Sequence, residues 1–182
     1  MHWKKTAAVA LGVAAGLSAL FVPRATHNAA AATLTSKNIS ISIVATGGTC
    51  TSEFCFAPES VKIRQADTVT WKNNTTTIHT VTICTTAACS GTGPGTGTDP
   101  SFNSGIIAAG ASFTHAFHGT GTYNYYCQIH GFIVMHGIIT VLPFAVKTSS
   151  LPAGTIGIAY STTLKAEGGF SPLTWTISSG AR

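Results

Sequence analysis

Charged residues are scarce in this sequence. Only 8% of the 182 residues are Asp, Glu, Lys or Arg, with 10 basic and five acidic residues. Three of the basic residues, Lys4, Lys5 and Arg24, lie in an N-terminal segment that we expect to be removed. The remaining Lys and Arg form no cluster with interleaved aromatic residues, which is the pattern typical of nucleic-acid binding. Nucleic acid is therefore not an expected partner.

Hydrolase signatures are also missing. The sequence contains no G-x-S-x-G motif, and its five acidic residues are scattered along the chain. The tyrosines Tyr123, Tyr125 and Tyr126 have no carboxylate or free histidine beside them that would make them catalytic acids. We expect a protein that is not an enzyme.

The one long apolar run lies at the N-terminus. Lys4 and Lys5 precede the run from residue 7 to residue 22, and alanines follow at 29–32. This order is typical of a secretory signal, so residues 1–32 are predicted to be cleaved near Ala31 or Ala32. A membrane anchor is the alternative, but the run is shorter than the roughly 20 strongly apolar residues that span a bilayer. We expect an exported mature chain without a membrane span, located in a periplasm, outside the cell or on its surface.

Helical periodicity is absent after the signal, and alternation of period two takes its place. The apolar positions of this alternation predict strands with one buried face; they are Ile39, Ile41, Ile43, Val61, Ile63, Val69 and Trp71. Further strand faces are predicted by His79, Val81 and Ile83 within 78–83, by Phe113, His115 and Phe117, by Tyr123, Tyr125 and Cys127, and by the segment 137–142. A Gly/Thr-rich surface loop is expected over 85–105. Residues 33–143 are predicted to form an all-β antiparallel sandwich.

Residues 144–182 have a different composition, with strand-like pieces at 155–164 and 173–178. About 40 residues are too few for an independent core. Four pieces of this segment, at 151–154, 159–160, 168–169 and 172–175, resemble the opening half of a bacterial immunoglobulin-like repeat. We expect a partial second domain, a truncated β segment of a longer natural protein.

The number of cysteines is odd. In an oxidising compartment thiols pair, and five cannot pair completely. Cys50 and Cys55 are five residues apart, as are Cys84 and Cys89, and each pair could close a small loop. That pairing leaves Cys127 free.

The free cysteine opens the motif C-x2-H-x4-M, which contains Cys127, His130 and Met135. One loop between two strands can bring these three donors to a single ion. The best placed fourth donor is His79, on a predicted buried face beside the polar Asn73-Asn74 turn. Two His, one Cys and a weak axial Met make up the blue-copper ligand set. Zinc is the alternative metal, but structural zinc sites prefer four Cys or His ligands.

Several motifs in the same order resemble plastocyanin and its bacterial cupredoxin relatives over about 56–141. The matching pieces are Pro58–Ile63, Asp67–Asn73, His79–Val81, Phe102–Gly105, Gly121–Cys127 and the ligand loop closed by Gly137–Val141. The resemblance implies a Greek-key β-sandwich with one copper ion at one end, held by His79, Cys127, His130 and Met135. Thr80 and Asn74 are the two candidates for a backbone or side-chain hydrogen bond near the Cys127 sulfur.

One departure from the family concerns the axial ligand. Bulky residues occupy 132–134, where the family often has small ones, and His136 follows Met135 directly. Either Met135 or His136 is therefore open as the axial ligand. His115 and His118 are expected to be packed or solvated side chains.

The expected function is electron transfer between redox partner proteins, with copper cycling between Cu(II) and Cu(I). An apolar patch at 131–134, including Phe132 beside His130, is predicted to dock these partners. Multicopper enzymes place His beside the blue-copper Cys, whereas Tyr126 and Gln128 flank Cys127 here. Two alternatives stay open: a copper carrier or buffer, and a structural cell-surface adhesin with a cupredoxin-like module.

Overall fold

A computed structural model describes residues 34–48 and 50–173 of the chain. The predicted signal segment and nearly all of the predicted strand at 173–178 lie outside the described residues. No helix able to cross a membrane occurs within the described ranges.

The described chain is built from short strands. They are β1 (Leu34–Thr35), β2 (Asn38–Gly47), β3 (Cys50–Ala57), β4 (Ser60–Arg64), β5 (Thr68–Asn73), β6 (Thr82–Ile83), β7 (Ser112–Ala116), β8 (Gly121–Tyr126), β9 (His136–Leu142), β10 (Ala145–Val146) and β11 (Ala166–Glu167). Two four-stranded sheets, ordered β3-β2-β5-β7 and β4-β9-β8-β6, enclose one core. The pairs β2–β5 and β4–β9 are parallel and the other neighbours in these two sheets are antiparallel. The fold is the predicted all-β Greek-key sandwich.

Alternation along the strands fills the core. Ile41 and Ile43 of β2 point inward beside Val69 and Trp71 of β5, and all four are fully buried. In β9 the inward positions are Gly137, Ile139 and Val141 rather than the residues between them. A Cβ at Gly137 would overlap the phenol ring of Tyr125, so the close approach of β8 and β9 requires glycine there.

The predicted strand over 78–83 is shorter in the structure. Only Thr82–Ile83 forms a ladder, while His79 makes an isolated bridge to Ile107 across the sandwich end. His79 and Val81 are nevertheless fully buried. The histidine therefore keeps its predicted apolar surroundings although the backbone is irregular.

A third, small sheet joins the two ends of the described chain. β11 lies between β1 and β10, and Glu167 of β11 pairs with Arg64 at 3.2 Å and with Lys147 at 3.3 Å. The strand predicted over 155–164 does not form, and Ile156 and Ile158 are exposed. No partner strand covers these side chains in the described structure, so the alternating pattern has nothing to pack against.

Candidate metal centre

The loop between β8 and β9 is closed on itself by backbone hydrogen bonds. The Gly131 amide donates to the Cys127 carbonyl at 2.9 Å, and the Met135 amide donates to the Gly131 carbonyl at 3.0 Å. The Cys127 amide donates in turn to the Met135 carbonyl at 3.0 Å. This closed loop fixes the backbone of both Cys127 and Met135, with His130 between them.

Three donor atoms converge at this end of the sandwich. The Nδ1 atom of His130 lies 3.3 Å from the Cys127 sulfur, and the Nδ1 atom of His79 lies 3.9 Å from it. The ligand atoms of the three residues all lie within 4.8 Å of one another. Cys127 and His79 are buried and His130 is partly exposed. One thiolate and two imidazoles at this spacing fit a single copper ion, for which both donor types are suited.

Thr80 supplies a hydrogen bond to the sulfur. Its amide lies 3.3 Å from Cys127 Sγ, and its hydroxyl lies 4.0 Å away. The expectation for Thr80 is therefore confirmed. That for Asn74 is wrong, because Asn74 is exposed and its amide donates to the Ile43 carbonyl at 3.0 Å. The Thr80 amide faces the atom where thiolate charge would lie, a contact that tunes a metal site from outside its ligand shell.

Comparison with known proteins agrees with this geometry. The model of the family "copper binding proteins, plastocyanin/azurin family" matches residues 42–142. The chain belongs to this family. It is 34% identical over 86 residues to a plastocyanin of Scenedesmus fuscus, covering 47% of this chain and 85% of that protein.

Two solved structures are similar to part of the chain. A purple cupredoxin from Nitrosopumilus maritimus has 24% identity and a TM-score of 0.44, covering 57% of this chain and 99% of its own. Amicyanin from Paracoccus versutus has 20% identity and a TM-score of 0.42, covering 58% of this chain and 81% of its own. As a member of the plastocyanin/azurin family, the chain binds copper and is an electron-transfer protein.

The two candidates for the axial ligand have different surroundings, and Met135 belongs to the core. Its side chain is buried, and its carbonyl accepts the Cys127 amide. Both ring nitrogens of His136 are engaged elsewhere, Nδ1 with the Phe132 carbonyl at 2.8 Å and Nε2 with a Glu59 carboxylate oxygen at 3.1 Å. His136 is thus held at the surface of β9.

Sequence reasoning missed a polar chain behind His79. Thr75 Oγ1 lies 2.9 Å from His79 Nε2, and Asn73 Oδ1 accepts from the Thr75 hydroxyl at 2.8 Å. With Nε2 engaged by Thr75, the opposite nitrogen, Nδ1, faces Cys127. The period-two alternation could have shown this, because Asn73 continues the inward series of Val69 and Trp71.

Both suggested disulfides are present. Cys50–Cys55 and Cys84–Cys89 have S–S distances of 2.11 and 2.07 Å, and Cys127 is free and buried. The second disulfide packs with Tyr126 and the partly buried Phe132. Phe132 is therefore partly covered by this cluster, and its docking role stays a prediction.

The remaining two histidines of the sandwich are packed against aromatic rings, as expected. The ring centroid of His115 lies 4.4 Å from that of Phe102, and that of His118 lies 5.3 Å from that of Phe170. Burial lowers the pKa of His115. Neither histidine belongs to the group of donors around Cys127.

The pH dependence of the metal-free protein should report on His79. Burial, reinforced by the nearby His130, lowers the pKa of His79 from 6.5 to about 4. Between these values the unfolded chain gains a proton that the folded chain does not, so the free energy of unfolding falls as the pH falls. The expected loss between pH 6.5 and pH 4 is about 3 kcal/mol.

Urea unfolding of the metal-free protein at pH 7 and pH 4.5 measures this loss. The His79→Gln variant is the control and should show a clearly weaker pH dependence. His115, whose pKa is also lowered, acts equally in both proteins, so the difference between them isolates His79. Equal pH dependence in the two proteins would contradict the prediction.

Proposed function

We propose that this chain is a single-site blue-copper protein that carries one electron at a time between partner proteins. His79, Cys127 and His130 would be the three strong ligands of the copper ion, and Met135 would be a fourth, weak one. The observation that carries the proposal is the convergence of two imidazole Nδ1 atoms on one buried, unpaired sulfur. Copper bound there supplies a Cu(II)/Cu(I) couple.

The protein's contribution is a fixed set of ligands. The closed 127–135 loop holds Cys127 and Met135 through its backbone, and Thr75 holds the His79 ring. Burial of Cys127, His79 and Met135 keeps water away from the ligand atoms. Ligands that do not rearrange keep the reorganisation energy of electron transfer small.

Electrons are proposed to pass through His130, the one ligand ring that is partly exposed. Four exposed isoleucines lie within two residues of a proposed ligand or of Ile107, the bridge partner of His79: Ile78, Ile106, Ile129 and Ile133. Apolar side chains around a redox group suit brief docking of a partner protein. Ile133, at 78% exposure, replaces Phe132 as the centre of the predicted docking patch.

A charge in this patch should slow electron transfer without altering the metal site. We expect Ile133→Lys to lower the bimolecular rate with a redox protein about tenfold, since charges at an interface act mainly on association. Stopped-flow reduction measures the rate, and the visible spectrum checks the site. Ile156→Lys is the matched control, an exposed isoleucine in the C-terminal segment. Equal rates for Ile133→Lys and the unmodified protein would refute the docking patch.

We propose an electron carrier rather than an enzyme because both residues that flank Cys127 make structural contacts. Tyr126 packs on the Cys84–Cys89 disulfide, and Gln128 accepts from Asn103 at 3.0 Å. Neither residue supplies an imidazole that could connect the centre to a second metal. Export of the chain is also proposed, since two disulfides are expected in an oxidising compartment.

Potentiometric titration of the copper-loaded protein tests the proposal. A reversible one-electron couple with one copper per chain supports an electron carrier. Rapid transfer of copper to a chelator, with slow electron exchange, would indicate a copper carrier instead. A chain that is equally stable with and without copper, and that shows no couple, would indicate a structural module.

A further inference from the structure

Phe54 contacts both histidine rings of the metal centre. Its ring centroid lies 4.8 Å from that of His79, edge to face, and 4.6 Å from that of His130. The two imidazole centroids are themselves 4.7 Å apart. A single aromatic side chain thus touches the rings that carry both Nδ1 donors.

Phe54 also forms the boundary between these rings and solvent. An open groove is lined by Phe54 together with residues of the β2–β3 hairpin and of the loop after β5, and Thr75 lines the same groove. Phe54 is only 9% exposed. Because one side of its ring borders the groove and the ring packs on both imidazoles, removing it would open the groove toward the centre.

The position of Phe54 is fixed by a disulfide. Phe54 immediately precedes Cys55, which is bonded to Cys50 at the start of β3. The register of β2 with β3 shifts between Ala45 and Gly47, beside this bridge. A small disulfide loop restricts its own segment more than the whole chain, so this bond acts on the place where Phe54 meets the histidines.

We propose that the disulfide-closed end of the β2–β3 hairpin is a cap on the metal centre, with Phe54 as the positioning residue for both imidazole rings. The cap keeps the buried His79 ring apart from bulk water and limits access of small molecules to Cys127. This inference rests on the proposed function only in taking His79, His130 and Cys127 as ligands.

Alkylation of Cys127 in the metal-free protein tests the cap. Cys127 is the free cysteine of the chain and is buried, so its reaction with iodoacetamide reports how often the centre opens. We expect Phe54→Ala to raise the alkylation rate about 10- to 100-fold through local opening. Phe54→Leu should restore most of the protection, and Cys50→Ser with Cys55→Ser should give an intermediate rate.

The matched control is Phe113→Ala, which removes a partly buried aromatic ring of β7 that packs on Trp71. Rates are compared at urea concentrations that give all variants the same free energy of unfolding, which removes the effect of global unfolding. If Phe54→Ala, or the variant with both Cys50→Ser and Cys55→Ser where the alanine variant does not fold, reacts no faster than Phe113→Ala, the cap is refuted. No copper is present in this assay, so failure of the electron-transfer proposal would not alter its result.

Discussion

Replacing Cys127 with serine should abolish the intense thiolate-to-copper absorption of the Cu(II)-loaded protein. The Cys127 sulfur lies at the centre of the donor group, within 3.9 Å of both Nδ1 atoms. A hydroxyl is a hard, neutral donor and does not replace a soft thiolate toward Cu(I). Affinity for Cu(I) should fall more than about 100-fold, since changes outside the ligand shell alone cost 10- to 100-fold.

Titration with Cu(II), followed by visible absorption, measures the first effect, and competition with a Cu(I) chelator measures the second. His115→Gln is the control, because His115 packs on Phe102 and lies outside the donor group. It should keep both the band and the affinity. A Cys127→Ser variant that still shows the band would remove Cys127 from the site.

Asn73→Ala should cost about 4 kcal/mol of unfolding free energy and disturb His79. The Asn73 amide donates to the carbonyls of Thr77 and Ile107 at 2.8 and 3.0 Å. Its oxygen accepts from the amide and hydroxyl of Thr75 at 3.0 and 2.8 Å. Four hydrogen bonds of a buried side chain, at about 1 kcal/mol each, give the estimate.

Denaturant unfolding of the metal-free protein measures the cost. Asn74→Ala is a close control, since the neighbouring side chain is exposed and its removal should change stability by less than about 0.5 kcal/mol. A chelator assay should also show weaker copper binding for Asn73→Ala, because Thr75 loses the partner that orients its hydroxyl toward His79. Similar stability of the two alanine variants would contradict this account.

Features set by local sequence could be predicted. The alternation in β2 and β5 follows from the opposite orientation of successive strand side chains, and it indicated the buried faces of Ile41, Ile43, Val69 and Trp71. The motif in the nine-residue segment from Cys127 to Met135 indicated the loop in which three predicted ligands lie. Both disulfides could also be predicted, because the two cysteines of each pair are only five positions apart.

Contacts between distant segments were not predictable in this way. Phe54 and His79 lie 25 residues apart in the chain and meet only because the β2–β3 hairpin passes over the end of the sandwich. The choice between Thr80 and Asn74 also depended on the fold, because both are polar residues near His79 in the sequence. The failed strand prediction at 155–164 has the same origin, since alternation does not reveal whether a partner strand is available.

The small sheet of β1, β10 and β11 determines how the metal centre is oriented when the protein is immobilised through one of these strands. β9 begins at the metal centre and runs away from it to Leu142, and β10 follows there. Residues 34–35 and 166–167 are paired at that same distant end. A molecule immobilised on an electrode, a bead or a cell wall through residue 34 or residue 167 would therefore be anchored at the end opposite to His130. The His130 ring, which is the proposed route for electrons, would point into solution in either case.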